Sequence, residues 1–363
     1  MSEYLRSYVA IDIERIKHNI KLLQDKTNKR LIGVIKANGY GTSDILNAKL
    51  LVECGVNLIA VSSVDEAVRL RDHGIDTELL ILGYVDKEEL KSVRENNLSI
   101  VTVSRDYVLS NLNDLKGIKV HIKINTGMNR IGINPSEVKE VFELLNNHAY
   151  IEGIMSHYCC ADADEVQTRK QFELFKECVK SLKHEFKYIH ISATDGSFLF
   201  KEDFSTHVRC GIGILGYTSN FSEELKPAVS LYSTVIDCKI VPEGEGISYG
   251  HHYHSDGKSY ILTLPIGYAD GLLRRNTGKQ VYIEGEYGTI VGSICMDQMM
   301  VKVEKPYPIG TRVEIYGKHI DITSRAKDLG TINYELLVDL SDRLTRVYVK
   351  EDELVEITKP RFI

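Results

Sequence analysis

The chain has 363 residues, 43% apolar and 26% charged, which supplies a sizeable core and excludes an extended disordered protein. Its formal net charge is -6, with both signs mixed along the whole length, so it carries no electrostatic footprint for nucleic acid or an anionic membrane. Apolar runs such as residues 58–61 and 79–82 are far short of a bilayer span, and MSEYLRSYVAID lacks the basic-then-apolar layout of a signal peptide. The expectation is a cytoplasmic protein of two domains that acts on small molecules, with no nucleic-acid and no membrane partner.

In chain order, residues 7–11 read as a strand and residues 13–23 as an amphipathic helix, with Asp12 at its N-cap. Apolar strand candidates then recur at 31–35, 58–61, 79–82, 100–103, 120–124, 151–155, 188–191 and 208–214. Helix-like stretches lie between them, clearest at 65–71, 138–145 and 167–182. Eight such units predict an α/β fold, a closed (βα)8 TIM-type barrel over residues 12–222 rather than an open doubly wound sheet. After about Tyr217 alternating β-branched and aromatic residues take over, at 233–240, 260–264, 280–284, 289–294 and 312–316, separated by turn signals. This reads as a mostly β C-terminal domain over residues 223–363.

Lys36 ends the first barrel run, in LIGVIKANGY. Desolvation and nearby cations at a strand exit disfavour the ammonium form, and a neutral amine forms a Schiff base with a carbonyl. A lone lysine there also reads as one that snorkels out of the core. The turn of Asn38, Gly39, Tyr40 and Gly41 has the small residues with which a βα loop holds a phosphate by backbone N–H groups. The seven cysteines fit no zinc pattern. Cys159 and Cys160, if on a strand, face opposite sides, and buried reduced thiols with no metal site are expected.

VIKANGYG resembles the pyridoxal-phosphate lysine motif of the alanine racemase family, and KINTGMNRIG, from Lys123 to Gly132, resembles its second signature. The resemblance implies that Lys36 carries pyridoxal 5'-phosphate, that Arg130 contacts its phenolic oxygen and the substrate carboxylate, and that Lys123 sits where relatives are often carbamylated. Asn125 stands where an aspartate is commoner in the family. His157 in MSHYCCADAD and His190 in HISATDG match the two active-site histidines, and Thr194 replaces a serine as a phosphate contact after an Ala193 that replaces an asparagine. Arg209 in HVRCGIGILGY resembles the arginine facing the pyridine nitrogen, with the Gly211 and Ile212 N–H groups on the phosphate.

In the β domain Tyr249 of GISYG matches the second catalytic base. Asp162, Tyr268, Asp270 and Arg274 match residues of the substrate entrance, Met296 and Asp297 of CMDQ match substrate contacts, and Tyr334 of TINYE matches a cofactor contact that also limits the side-chain pocket. The resemblance covers residues 8–347 and implies that the N-terminal strand within residues 1–11 returns to join the β domain, and that the chain is an isomerase that interconverts L- and D-alanine and supplies D-alanine for cell-wall peptidoglycan. Lys36 then serves one face of the substrate Cα and Tyr249 the other, with Tyr249 arriving from the partner chain of a homodimer whose active sites are shared.

Three readings compete. A serine racemase shares the catalytic domain but typically has a membrane anchor and a smaller polar residue in place of Tyr334. A non-catalytic pyridoxal-phosphate-binding barrel lacks the β domain. A barrel-plus-β-domain decarboxylase brings a cysteine and an acidic ring-nitrogen partner in place of Tyr249 and Arg209.

Overall fold

The computed structural model of the protein describes residues 6–199, 204–218, 224–350 and 353–358. Its contacts divide the chain into one unit, Ile16–Lys226, and a second that joins the residues up to Arg15 to those from Pro227 onward. The expected boundary between residues 222 and 223 lies outside the described residues. Among the described residues no helix is long and apolar enough to cross a membrane.

β1 (Ser7–Asp12) runs into a helix at Ile13–Thr27, where Asp12 Oδ1 accepts the Arg15 N–H at 3.0 Å. The eight apolar runs of the first unit become β2 (Arg30–Val34), β3 (Leu58–Val61), β4 (Glu78–Ile81), β5 (Ser99–Thr102), β6 (Lys119–Lys123), β7 (Tyr150–Met155), β8 (Tyr188–His190) and β9 (His207–Cys210). They close a parallel barrel in sequence order, with β9 returning to β2 so that Ile32 lies opposite Arg209 and Gly33 opposite Cys210. All four residues of β3 and of β5 are buried, as strands covered on both faces require. Full burial of each such aliphatic side chain is worth about 1.5–3 kcal/mol before entropy is counted. Gly33 answers to packing as well: a Cβ there would collide with Leu51 of the helix Asp44–Glu53.

The second unit is a ten-stranded sheet. Its further strands are β10 (Val229–Thr234), β11 (Asp237–Ile240), β12 (Gly246–Ile247), β13 (Tyr253–His254), β14 (Tyr260–Leu264), β15 (Gln280–Ile283), β16 (Glu286–Val291), β17 (Met299–Val303), β18 (Arg312–Tyr316), β19 (Thr345–Lys350) and β20 (Glu353–Thr358). The order is β11-β14-β17-β16-β15-β18-β10-β1-β19-β20, with β12 and β13 forming a separate hairpin. β1 pairs antiparallel with β10 and parallel with β19.

Three expectations are corrected. The last barrel strand ends at Cys210 instead of running to 214, because Gly211 breaks the ladder and a 3-10 turn follows at Ile212–Leu215. Residues 233–240 hold two strands instead of one, β10 and β11, which pair with different neighbours, β18 and β14. The β domain is mostly β as expected, with short helices at Ile322–Asp328 and Asn333–Val338. Of the seven cysteines only Cys178 and Cys210 are buried; Cys159 is exposed and follows the end of β7, so strand alternation does not separate it from Cys160.

Candidate active site

Every barrel residue singled out in the sequence lies at or just beyond the C-terminal end of a strand or inside the barrel near it, the end where barrel enzymes do chemistry. Lys36 leaves β2 into a turn in which Ala37, Asn38, Gly39 and Tyr40 all have φ between 52° and 62°. The turn is left-handed, and part of its backbone is already engaged within the protein. The Ala37 N–H donates to Glu66 Oε1 at 2.7 Å and the Gly39 N–H to the Ile35 carbonyl at 2.9 Å, so both are engaged within the protein. Glu66 also accepts the Ser62 N–H at 2.6 Å and so ties the turn to the start of the helix Val64–Asp72.

Lys36 is open at the mouth, yet the protein around its amine displaces water and lowers its pKa, and Arg130 adds to the effect while Glu66 opposes it. Lys123 is buried on β6 and is held down to about 8, by burial first and then by Arg209, Arg130 and Lys36. Asn125 closes its own loop, accepting the Gly127 and Asn129 N–H groups at 3.3 and 3.0 Å.

Arg209 is buried at the end of β9 and donates to His190 Nδ1 at 2.8 Å, to His157 Nδ1 at 2.7 Å and to the carbonyls of Ser156 and Ile191 at 3.0 and 2.8 Å. A guanidinium only donates, so both imidazole nitrogens facing it are acceptors. His190 therefore carries its proton on Nε2 and gives it to His121 Nδ1 at 2.9 Å. His121 Nε2 is then a buried N–H with no partner among the described residues. Burial, followed by the surrounding cations, pushes His157 and His190 well below the ordinary histidine range and His121 down to about 3. The sequence reading missed His121, whose side chain enters the barrel like that of Lys123 two residues on.

Thr194 is buried beside Gly213, where a Cβ would strike its methyl group, and a Cβ on Gly211 would strike the Tyr40 hydroxyl. Backbone therefore reaches the mouth where side chains would block it. Four cations, Lys36, Lys123, Arg130 and Arg209, together with this close backbone fit an anionic phosphate and a carbonyl reactive toward an amine. Burial holds Tyr40 protonated and Cys210 up to about 12, so neither competes as a nucleophile.

In the β unit Tyr249 is 77% exposed, on a turn where Ser248, Gly250 and His251 all have positive φ. Ser248 Oγ donates to the Ser293 carbonyl at 2.6 Å and Ser293 Oγ to the Tyr249 carbonyl at 3.0 Å, which fixes this backbone against the neighbouring segment. The entrance candidates separate here. Asp270 and Asp297 line a cleft of about 700 Å3 with Arg343, whereas Tyr268 and Arg274 line another of about 540 Å3. Arg343 bridges to Asp297 at 2.6 Å and Asp270 at 3.6 Å and was not legible in the sequence, where nothing links three such distant positions. Met296 is exposed, Asp162 is exposed on the loop after β7, and Tyr334 is half-buried in the first turn of the helix Asn333–Val338.

The alanine racemase N-terminal domain family matches residues 11–219 and its C-terminal domain family matches residues 228–348. The chain belongs to the alanine racemase family. An alanine racemase of Staphylococcus saprophyticus is 34% identical over 97% of each chain. Among solved structures, an alanine racemase of Clostridium difficile 630 superimposes with a TM-score of 0.93 at 32% identity over 99% of this chain and 100% of that one. One from Bacillus anthracis with bound L-Ala-P gives 0.92 at 30% identity over 98% of both chains. Alanine racemases are pyridoxal-phosphate-dependent isomerases, and the paired barrel and β domain described above is their architecture.

Proposed function

We propose that this chain racemises alanine with pyridoxal 5'-phosphate, in a homodimer whose active sites are completed across the subunits. The observation that carries the reading is the position of Lys36: an open amine with its pKa lowered, at the exit of the first barrel strand and among three further cations. Lys36 would hold the cofactor, with Tyr40, Thr194, Gly211 and Ile212 toward the phosphate, Tyr334 and His157 as further cofactor contacts, and Arg130 at the phenolic oxygen and the substrate carboxylate. Bound there, the cofactor would withdraw electron density from the substrate Cα and make its proton labile.

The chain's own groups do the rest. Lys36 exchanges the Cα proton on one face and Tyr249 on the other, which is what inversion needs. Arg209, held in place by His190, His157 and two carbonyls, keeps its protons because a guanidinium is too basic to lose them; a ring nitrogen placed against it would stay unprotonated. Electron withdrawal stays moderate, which suits moving one proton and little else. The exposure of Tyr249 supports its presentation to a partner chain. Asp162, Tyr268, Asp270, Arg274, Met296 and Asp297 are read as the approach and seat of a small amino acid. Lys123 is read as a carbamylation site, since an amine brought down to about 8 offers an appreciable neutral fraction to carbon dioxide. The seven free thiols suit a reducing, cytoplasmic compartment.

The relatives named above support alanine over serine, and the match of both domain families argues against a barrel-only carrier. Incubation of the cofactor-loaded protein with L-alanine and with L-serine, followed by chiral chromatography, tests the reading. Rapid formation of D-alanine with much slower D-serine is expected; an unchanged L-alanine sample overturns it.

A further inference from the structure

Beyond β7 the chain from 156 to 160 has no regular structure, and there Cys159 Sγ and Cys160 Sγ lie 3.0 Å apart. Cys159 is exposed and Cys160 half-buried. The two thiols share a hydrogen bond in which either sulfur can donate, and the Cys160 thiol is pushed up to about 11, chiefly by that bond, so it keeps its proton at neutral pH. Cys159 is the more accessible sulfur, the one an external reagent meets first.

The same loop is fastened to the active site. Gln171, fully buried, accepts the Cys159 N–H at 2.9 Å and donates to the His157 carbonyl at 3.0 Å and to Thr126 Oγ1 at 3.3 Å. Thr126 and Ser156 share a hydroxyl bond of 2.7 Å, and His157 itself accepts from Arg209. One buried side-chain amide thus bonds Cys159 on one side and His157 and Thr126 on the other.

We propose that Cys159 and Cys160 are a vicinal dithiol which a low-molecular-weight disulfide converts into an intramolecular disulfide, and that ring closure slows turnover by shifting His157 through Gln171. The Cys159 thiolate attacks one sulfur of the external disulfide; that S–S bond breaks, and one thiol leaves with the proton Cys159 gave up. The Cys160 sulfur then attacks the Cys159 sulfur of the mixed disulfide and expels the second thiol, which takes the Cys160 proton. Two protons and two electrons leave the protein and reduce the external disulfide to two thiols. Closure brings the sulfurs to about 2.05 Å, while adjacent Cα atoms, about 3.8 Å apart, are nearer than the about 4.4–6.8 Å of an ordinary disulfide. The ring is strained, and strained disulfides are the readily reduced ones, so the modification is reversible.

The activity arm of the test rests on the racemase reading; the chemical arm does not. Cofactor-loaded protein is treated with oxidised glutathione, alkylated without reduction and digested for mass spectrometry. The peptide holding Cys159 and Cys160 should be unalkylated and lighter by two hydrogens, with turnover down roughly fivefold and restored by dithiothreitol. Cys160→Ser should stop at the mixed disulfide on Cys159. The double variant Cys159→Ser, Cys160→Ser should match untreated wild type within about twofold and ignore the oxidant. Full alkylation of both thiols while other cysteines react, a closed ring with unchanged turnover, or equal inhibition of the double variant overturns the proposal. A wild-type protein with no racemisation before treatment contradicts the functional reading alone, and the mass of the peptide then decides whether the dithiol closes.

Discussion

Lys36 and Lys123 are both held below the ordinary lysine range, by burial first and by neighbouring cations next, and their different exposure separates what they can do. Lys36 faces the open mouth, so borohydride added to protein loaded with pyridoxal phosphate should fix a pyridoxyl group there; a peptide map with the label on Lys123 refutes the assignment. Lys123 is a burdened cation instead. Its folded value of about 8 lies below the unfolded 10.5, so between those pH values the unfolded chain binds more protons. The penalty is complete below about pH 8 and is relieved as pH rises toward 10.5. Lys123→Met should therefore raise the stability of the cofactor-free protein at neutral pH, in buffer depleted of carbon dioxide, by on the order of 1–3 kcal/mol. An unchanged or lower urea midpoint contradicts this.

Among the elements, the turn from Lys36 to Gly41 separates what sequence patterning reveals from what it hides. The strand before it was legible because Leu31, Ile32, Val34 and Ile35 are apolar without helical spacing, as a strand buried on both faces must be. Its left-handed course was not, because Ala37 and Tyr40 have no intrinsic preference for positive φ and are held there by the bonds to Glu66 and Ile35. Ala37→Val should cost about 1–2 kcal/mol in stability, since a β-branched residue resists φ near +53°, whereas Ala37→Gly should cost little. Equal midpoints for the two variants contradict that conformation. The residues of the barrel site were legible where a motif carried them. The Arg209–His190–His121 chain was legible only in part, because a polar group's partners depend on which strands the barrel brings side by side. Its histidines predict an acid limb. His121 at about 3 and His207 at about 4 are both depressed from 6.5, by burial first, and His157 and His190 shift the same way. Below about pH 6.5 the unfolded chain takes up protons that the barrel refuses, so this stability is present above that pH and lost beneath it. The urea midpoint should fall steeply from about pH 7 to pH 5; a flat profile contradicts buried neutral imidazoles.

At the scale of the whole molecule the two residues proposed as bases lie in different units of one chain, Lys36 in the barrel and Tyr249 on the exposed turn of the β unit. The shared-site account has a consequence that a single-chain site lacks. Lys36→Ala and Tyr249→Phe should each be nearly inactive as homodimers. In a heterodimer of the two, one site carries both lesions and the other carries neither. The measurement is alanine racemisation by co-expressed Lys36→Ala and Tyr249→Phe chains, with heterodimers counted by native mass spectrometry and each variant alone as control. Recovery of up to about half of the wild-type rate per heterodimer is the result expected; heterodimers that form and yet stay at the level of the two controls would contradict the shared site.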